Sequence, residues 1–218
     1  GGINEKGLVI EIMLAEAQYP LPDQRPAINE LQWIQYQLDN ASTIEEVINS
    51  DKLLRISQVN QELHYLICDG FGNAAVIEFV NNKIQVYKDK DLPMPVLENS
   101  TYSNSLESYS NNLECRFTKT VNLIENFKKE PESSIIDYSF SILDSVALNG
   151  AWSIVYDIIN MKIYFKTSSN INIQTLDINT FDFNCKSESL IYDLSLINKG
   201  NINKLFTLFN SELNKEKL

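Results

Sequence analysis

Leu63-His64-Tyr65-Leu66-Ile67-Cys68-Asp69, followed by Gly70-Phe71-Gly72-Asn73 and then Ala74-Ala75-Val76-Ile77-Glu78-Phe79-Val80, is the stretch on which the fold turns. Two apolar runs of strand length flank four turn-forming residues, which is the pattern of a β-hairpin. Asn81-Asn82 then leads into residues 83–88, and residues 53–57 precede the hairpin, so an antiparallel meander of consecutive strands is expected. The Gly70-Phe71-Gly72 triplet is a turn rather than a phosphate cradle, because the phosphate-binding version needs a third glycine and a following helix, whereas a strand follows here. His64 and Cys68 alternate onto one strand face but lie about 13 Å apart at ~3.3 Å per residue, too far for a proton-transfer dyad. Both read as core or sheet residues.

Outward toward the N-terminus, Leu8, Ile10, Ile12 and Leu14 share one face at period two, opposite Glu11, as in a largely buried strand over residues 8–17. Pro20 and Pro22 break regular structure. Pro26 suits the first turn of a helix with the stripe Ile28, Leu31, Ile34 and Leu38, and Ser42-Thr43-Ile44-Glu45 reads as a capping box opening a short helix to Asn49. Outward toward the C-terminus, residues 91–112 carry Pro93, Pro95 and many Ser and Asn, the composition of a long loop with at most a short helix. Phe117, Val121, Ile124 and Phe127 then mark an amphipathic helix, and Ser134 caps another with the stripe Ile136, Phe140, Leu143 and Ala147. Residues 152–157 and 161–166 form a second hairpin around Asn160. Strand-like segments at 171–177 and 187–192 follow, then an amphipathic helix over 202–213. Strand, helices, meander, helices, hairpin and helix in that order predict an α+β class with segregated layers rather than a parallel βαβ sheet.

The 218 residues fit one domain, here residues 1–218, with 44% apolar, 22% charged and 10% aromatic residues, an ordinary globular composition. Eighteen basic residues against 29 acidic ones give a net charge of −11, which argues against nucleic acid and membrane surfaces as partners. Cys68, Cys115 and Cys185 show neither a disulfide framework nor a zinc spacing. His64 is the single histidine, so an enzyme of this composition is expected to work without an imidazole. The carboxylates are scattered, with no pair at a metal-binding or glycosidase spacing, and read as a solvated acidic face. The opening Gly1-Gly2-Ile3 reads as a cut or processed end.

Gly2-Ile3-Asn4-Glu5-Lys6-Gly7-Leu8 before a strand resembles a motif of the choloylglycine hydrolase family, the linear-amide C–N hydrolases that include bile salt hydrolases and penicillin V acylases. Further segments match in the family's order: residues 30–40, Leu63-His64-Tyr65, Val96-Leu97-Glu98-Asn99-Ser100, Arg116-Phe117, and Trp152-Ser153-Ile154-Val155-Tyr156-Asp157. The resemblance implies an αββα sandwich of the N-terminal nucleophile type, incomplete at its N-terminus. In that family an N-terminal cysteine attacks the amide carbonyl and its own α-amino group is the base, so no histidine and no cofactor or metal is required. Asn99 matches the asparagine whose side-chain amide faces the tetrahedral oxyanion, and Arg116 matches the arginine that supports the site. The second oxyanion position falls at Leu14, which can offer only its backbone N–H.

The family's first strands and nucleophilic cysteine have no counterpart in this sequence, and Cys68, Cys115 and Cys185 are internal. The chain is therefore expected to be the larger C-terminal part of such an amidase, inactive alone, with exposed sheet edges that favour association. The alternative is a catalytically inactive relative that binds ligands or partners. Implied substrates are small amides: conjugated bile salts, penicillin V or N-acyl amines. Homo-oligomerisation is carried over from the resemblance. The compartment stays open, with periplasm or exterior ahead of cytoplasm.

Overall fold

The computed structural model describes residues 1–127 and 134–212. They divide into two compact units, residues 1–128 and 129–218. The class is α+β.

In the first unit β1 (Gly2–Ile3) and β2 (Val9–Leu14) precede β3 (Ala27–Ile28), α1 (Glu30–Asn40), α2 (Ile44–Asn49) and β4 (Arg55–Ile56). The chain then runs through β5 (Leu63–Cys68), β6 (Ala74–Val80), β7 (Lys83–Lys88), α3 (Tyr102–Ser110) and α4 (Arg116–Glu125). The main sheet has the order β1-β2-β5-β6-β7, and all its neighbours are antiparallel. Strand alternation sends Leu8, Ile10, Tyr65, Ile67, Ala75, Ile77 and Phe79 to one face, where they pack with Trp33, Ile34, Ile44 and Val47 of α1 and α2. Val76 on the other face packs with Leu92, Val96, Tyr102, Phe117 and Val121. The meander over residues 63–88 is thus as expected. Residues 53–57 do not extend it, because Arg55–Ile56 pairs in parallel with Ala27–Ile28 as a separate two-stranded sheet.

The Gly2–Leu8 motif has a structural explanation. Asn4, buried at the turn between β1 and β2, donates Nδ2 to the carbonyls of Leu38 and Ala41, both at 2.8 Å, and accepts at Oδ1 from the N–H groups of Lys6 and Leu8. One side chain therefore closes the turn and satisfies carbonyls at the end of α1 that would otherwise lack partners. Gly7 follows at φ 81°, a left-handed conformation that a side chain would strain. The Asp69–Asn73 segment is a turn, as expected, with Asp69 Oδ1 accepting from the N–H groups of Phe71 and Asn73 and Gly72 at φ 85°.

Several local expectations are corrected. Pro26 does not open α1, since its carbonyl accepts from Arg55 N–H in the short parallel pair. Asn29 caps the helix instead, in a reciprocal capping box with Gln32. The buried face of α1 is Glu30, Trp33, Ile34 and Gln37, which leaves Leu31 half exposed. The second capping box is shifted by one residue, to Thr43 and Glu46. Residues 91–112 contain a nine-residue helix, α3, which the Ser- and Asn-rich sequence hides because its anchors are tertiary: Tyr102 and Ser105 are buried, and Tyr102 N–H donates to Glu78. The carboxylates are not all solvated: Glu30, Asp69 and Glu78 are buried.

The second unit holds α5 (Ile135–Val146), β8 (Ser153–Asp157), β9 (Lys162–Lys166), β10 (Gln174–Asp177), β11 (Leu190–Ile191), β12 (Gly200–Asn201) and β13 (Thr207–Leu208). A four-stranded sheet runs β12-β10-β9-β8, with β8 and β9 forming the expected hairpin, and β11 pairs with β13. The expected C-terminal helix is not present over residues 202–210. Ile202 is buried, and Asn203 turns its side chain to β10, accepting from Asp177 N–H and donating to Asp177 O, in competition with helical bonding. Leu213 lies outside the described residues. No helix among them is long and apolar enough to cross a membrane.

Candidate active site

The site is built on the end of β2. Ala15 N–H donates to Glu62 O, which makes this a hydrogen-bonded pair of the β2–β5 ladder. Antiparallel ladders alternate, so Met13–His64 is bonded and Leu14–Leu63 is not. The N–H and C=O of Leu14 therefore point to the opposite edge, where β1 covers only Val9 and Ile10. Consistent with this, Leu63 turns its own N–H and C=O away from Leu14, to the hydroxyl of Tyr19.

Asn99 meets that edge. Its Nδ2 donates to Leu14 O at 3.2 Å, and its Oδ1 accepts from Arg116 Nη2 at 2.7 Å. A guanidinium has no acceptor and a carbonyl no donor, so the two partners allow one orientation of the amide. The second Nδ2 hydrogen is left to point away from Leu14 O, on the edge that also carries Leu14 N–H. The structure thus brings together all three residues singled out in the sequence, although they stand on a strand end, a loop and the first turn of a helix. Glu98 ties the last two: its carboxylate accepts from Phe117 N–H at 3.2 Å at the start of α4.

Beside these groups lies a cavity of about 340 Å³ lined by Ile12, Met13, Leu14, Glu30, Leu31, Asn60, Gln61, Leu63 and Asn99. Its wall at residues 59–61 is held by Glu30, whose carboxylate accepts from the N–H groups of Val59, Asn60 and Gln61 at 3.0, 2.6 and 2.8 Å. Burial pushes this carboxyl up, but the backbone N–H groups of Glu30, Gln61, Val59 and Asn60 outweigh it and hold it at about 2. Leu31, expected in the core, faces this cavity instead.

The three cysteines stand elsewhere. Cys68 is half buried on β5, and burial, with the Asp69 charge, pushes its thiol up, away from the reactive thiolate. Cys115 caps α4, its sulfur accepting from Thr118 N–H. Cys185 is exposed in the second unit, and none of the three lines the cavity. Among the described residues, no group of three or more His, Cys, Asp or Glu side chains could hold a metal ion. Sequence reasoning missed Glu30, Glu78 and Glu98. A carboxylate buried against backbone N–H groups leaves no periodic signal, and only the position of Glu30 on the inward face of α1 could have pointed to it.

The fold is one found in solved acylase and bile acid hydrolase structures. The structure matches that of penicillin V acylase from Agrobacterium tumefaciens with a TM-score of 0.81, at 21% sequence identity, covering 96% of this chain and 77% of that one. It matches a variant of conjugated bile acid hydrolase from Clostridium perfringens with a TM-score of 0.70, at 18% identity, covering 95% and 75%. The family model for linear amide C–N hydrolases of the choloylglycine hydrolase family matches residues 1–129. The chain belongs to that family. In sequence it is 32% identical over 103 residues to a penicillin V acylase from Pectobacterium atrosepticum, an alignment covering 41% of this chain and only 27% of that relative.

Proposed function

We propose that this chain supplies the oxyanion-binding and acyl-binding part of a hydrolase for linear amide C–N bonds, and that the nucleophile is an N-terminal cysteine from a segment this sequence does not contain. The cysteine thiol gives its proton to its own α-amino group as the sulfur adds to the amide carbonyl, the carbonyl oxygen becomes an oxyanion, and on its collapse the amine leaves with that proton. Water then cleaves the thioester to the acid. Asn99 Nδ2–H and Leu14 N–H receive the oxyanion, Arg116 keeps the Asn99 amide from turning over, and the cavity beside Leu14 takes an apolar acyl group. The observation that carries this reading is the clamp on Asn99, which presents an exposed amide donor in one orientation at a strand edge. Pre-oriented donors of this kind stabilise developing charge at no reorganisation cost during the reaction. The names of the structural neighbours favour penicillin V, conjugated bile salts or related N-acyl amines as substrates.

The test is Asn99→Ala in the native protein, with initial rates on penicillin V, a glycine-conjugated bile salt and an N-acyl amine. The expected result is a loss of about 10²–10³ in kcat with KM little changed. A native protein that binds these compounds and turns over none of them would instead mark an inactive ligand-binding relative.

A further inference from the structure

His64 lies in β5, buried on the face opposite α1 and α2, where neither solvent nor substrate reaches it. Its ring bridges two groups: Nδ1 stands 2.9 Å from Glu78 Oε1 and Nε2 stands 2.8 Å from the carbonyl oxygen of Glu98. A carbonyl can only accept, so Nε2 carries a proton and donates to Glu98, and a second proton lies between Nδ1 and Glu78 Oε1. Glu98 immediately precedes Asn99, and its side chain holds the first turn of α4 beside Arg116. Glu78 is equally buried, and its Oε1 also accepts from Tyr102 N–H at 2.7 Å, which anchors α3 on the far side of the same loop. The segment carrying Asn99 is therefore fixed to the sheet at two points by one buried pair, and one of those points is the peptide bond that joins Glu98 to Asn99.

We propose that His64, held by Glu78, is a positioning residue for Asn99 that acts through the carbonyl of Glu98. This rests on the reading of Asn99 as the oxyanion donor. Without the bond to Glu98 O, the loop keeps its contact with α3, but the Asn99 amide loses the support that sets its height over the edge of β2. A displacement on the order of 1 Å at a charge-stabilising group can cost about 10²-fold in rate.

Two substitutions separate positioning from simple stability. His64→Gln can place an amide N–H where Nε2 stands and keep the bond to Glu98 O. His64→Asn reaches only the Nδ1 position, so it keeps the contact with Glu78 and loses Glu98. In the native protein, His64→Asn is expected to lower kcat about 10- to 100-fold with KM within about threefold, while His64→Gln stays within about threefold of the parent in both. Equal kcat in the two variants, or losses that follow only their thermal midpoints, would overturn the proposal. If Asn99→Ala still costs about 10²-fold in that case, the hydrolase reading survives it. A measurement independent of turnover uses the ¹⁵N-labelled chain: the side-chain amide signals of Asn99 should shift in His64→Asn and hold their positions in His64→Gln. Unchanged signals in His64→Asn would overturn the strut, whatever the activity.

Discussion

At the residue scale, carboxylates and amides that meet backbone groups hold the surroundings of the cavity. Glu30 shows what this implies. Its folded-state pKa, about 2, is depressed from the ordinary 4.5, so its contribution to stability is fully present above pH 4.5 and is lost as pH falls through about 2. Glu30→Gln should lower stability at pH 7 by about 2 kcal/mol, because an amide nitrogen meets N–H groups that need an acceptor. In urea titrations at several pH values, the gap between parent and variant should narrow steadily from pH 4.5 toward pH 2. A gap independent of pH would mean that the carboxylate charge is not what holds residues 59–61. In the sequence only its place on the inward face of α1, four residues before Ile34, separates Glu30 from the other carboxylates. Asn99 and Arg116 were legible, but only through ordered motifs, since their spacing of seventeen residues says nothing of a 2.7 Å contact.

At the element scale, caps and anchors decided what periodicity left open. The strands of the meander were plain because alternation between two faces is a local property of sequence. The helix at Tyr102–Ser110 was not, because its amphipathic signal is weak and its start is set by Thr101 and by a carboxylate on another strand. The Asn4 turn belongs to this scale as well. Asn4→Ala removes two donors from the end of α1 and an acceptor from the β1–β2 turn, and should cost about 3 kcal/mol, read as a lower urea midpoint with an unchanged denaturant slope. A loss below about 1 kcal/mol would show that water replaces these bonds.

At the scale of the whole molecule, among the described residues no strand pairs with the outer edge of β2 from Ile12 to Leu14, where Asn99 bonds Leu14 O, and large apolar side chains such as Ile159 and Ile171 are 94% and 80% exposed. Open strand edges and exposed apolar groups promote association even where net charge opposes it. The purified 218-residue chain should therefore show a scattering mass that rises with protein concentration, despite its charge of −11. A constant monomer mass up to about 100 μM would count against this.

The sequence by itself determined the α+β class, the strands over residues 63–88 and the family, and singled out Leu14, Asn99 and Arg116, because each is written in local alternation or in contiguous motifs. Only the tertiary structure decided that these three meet, that α3 exists, and that Glu30, Glu78 and His64 are buried under the loops they hold. The physical reason is that burial and hydrogen-bond partnership are relations between distant segments. A carboxylate facing three backbone N–H groups thirty residues away has the same sequence signature as one facing water.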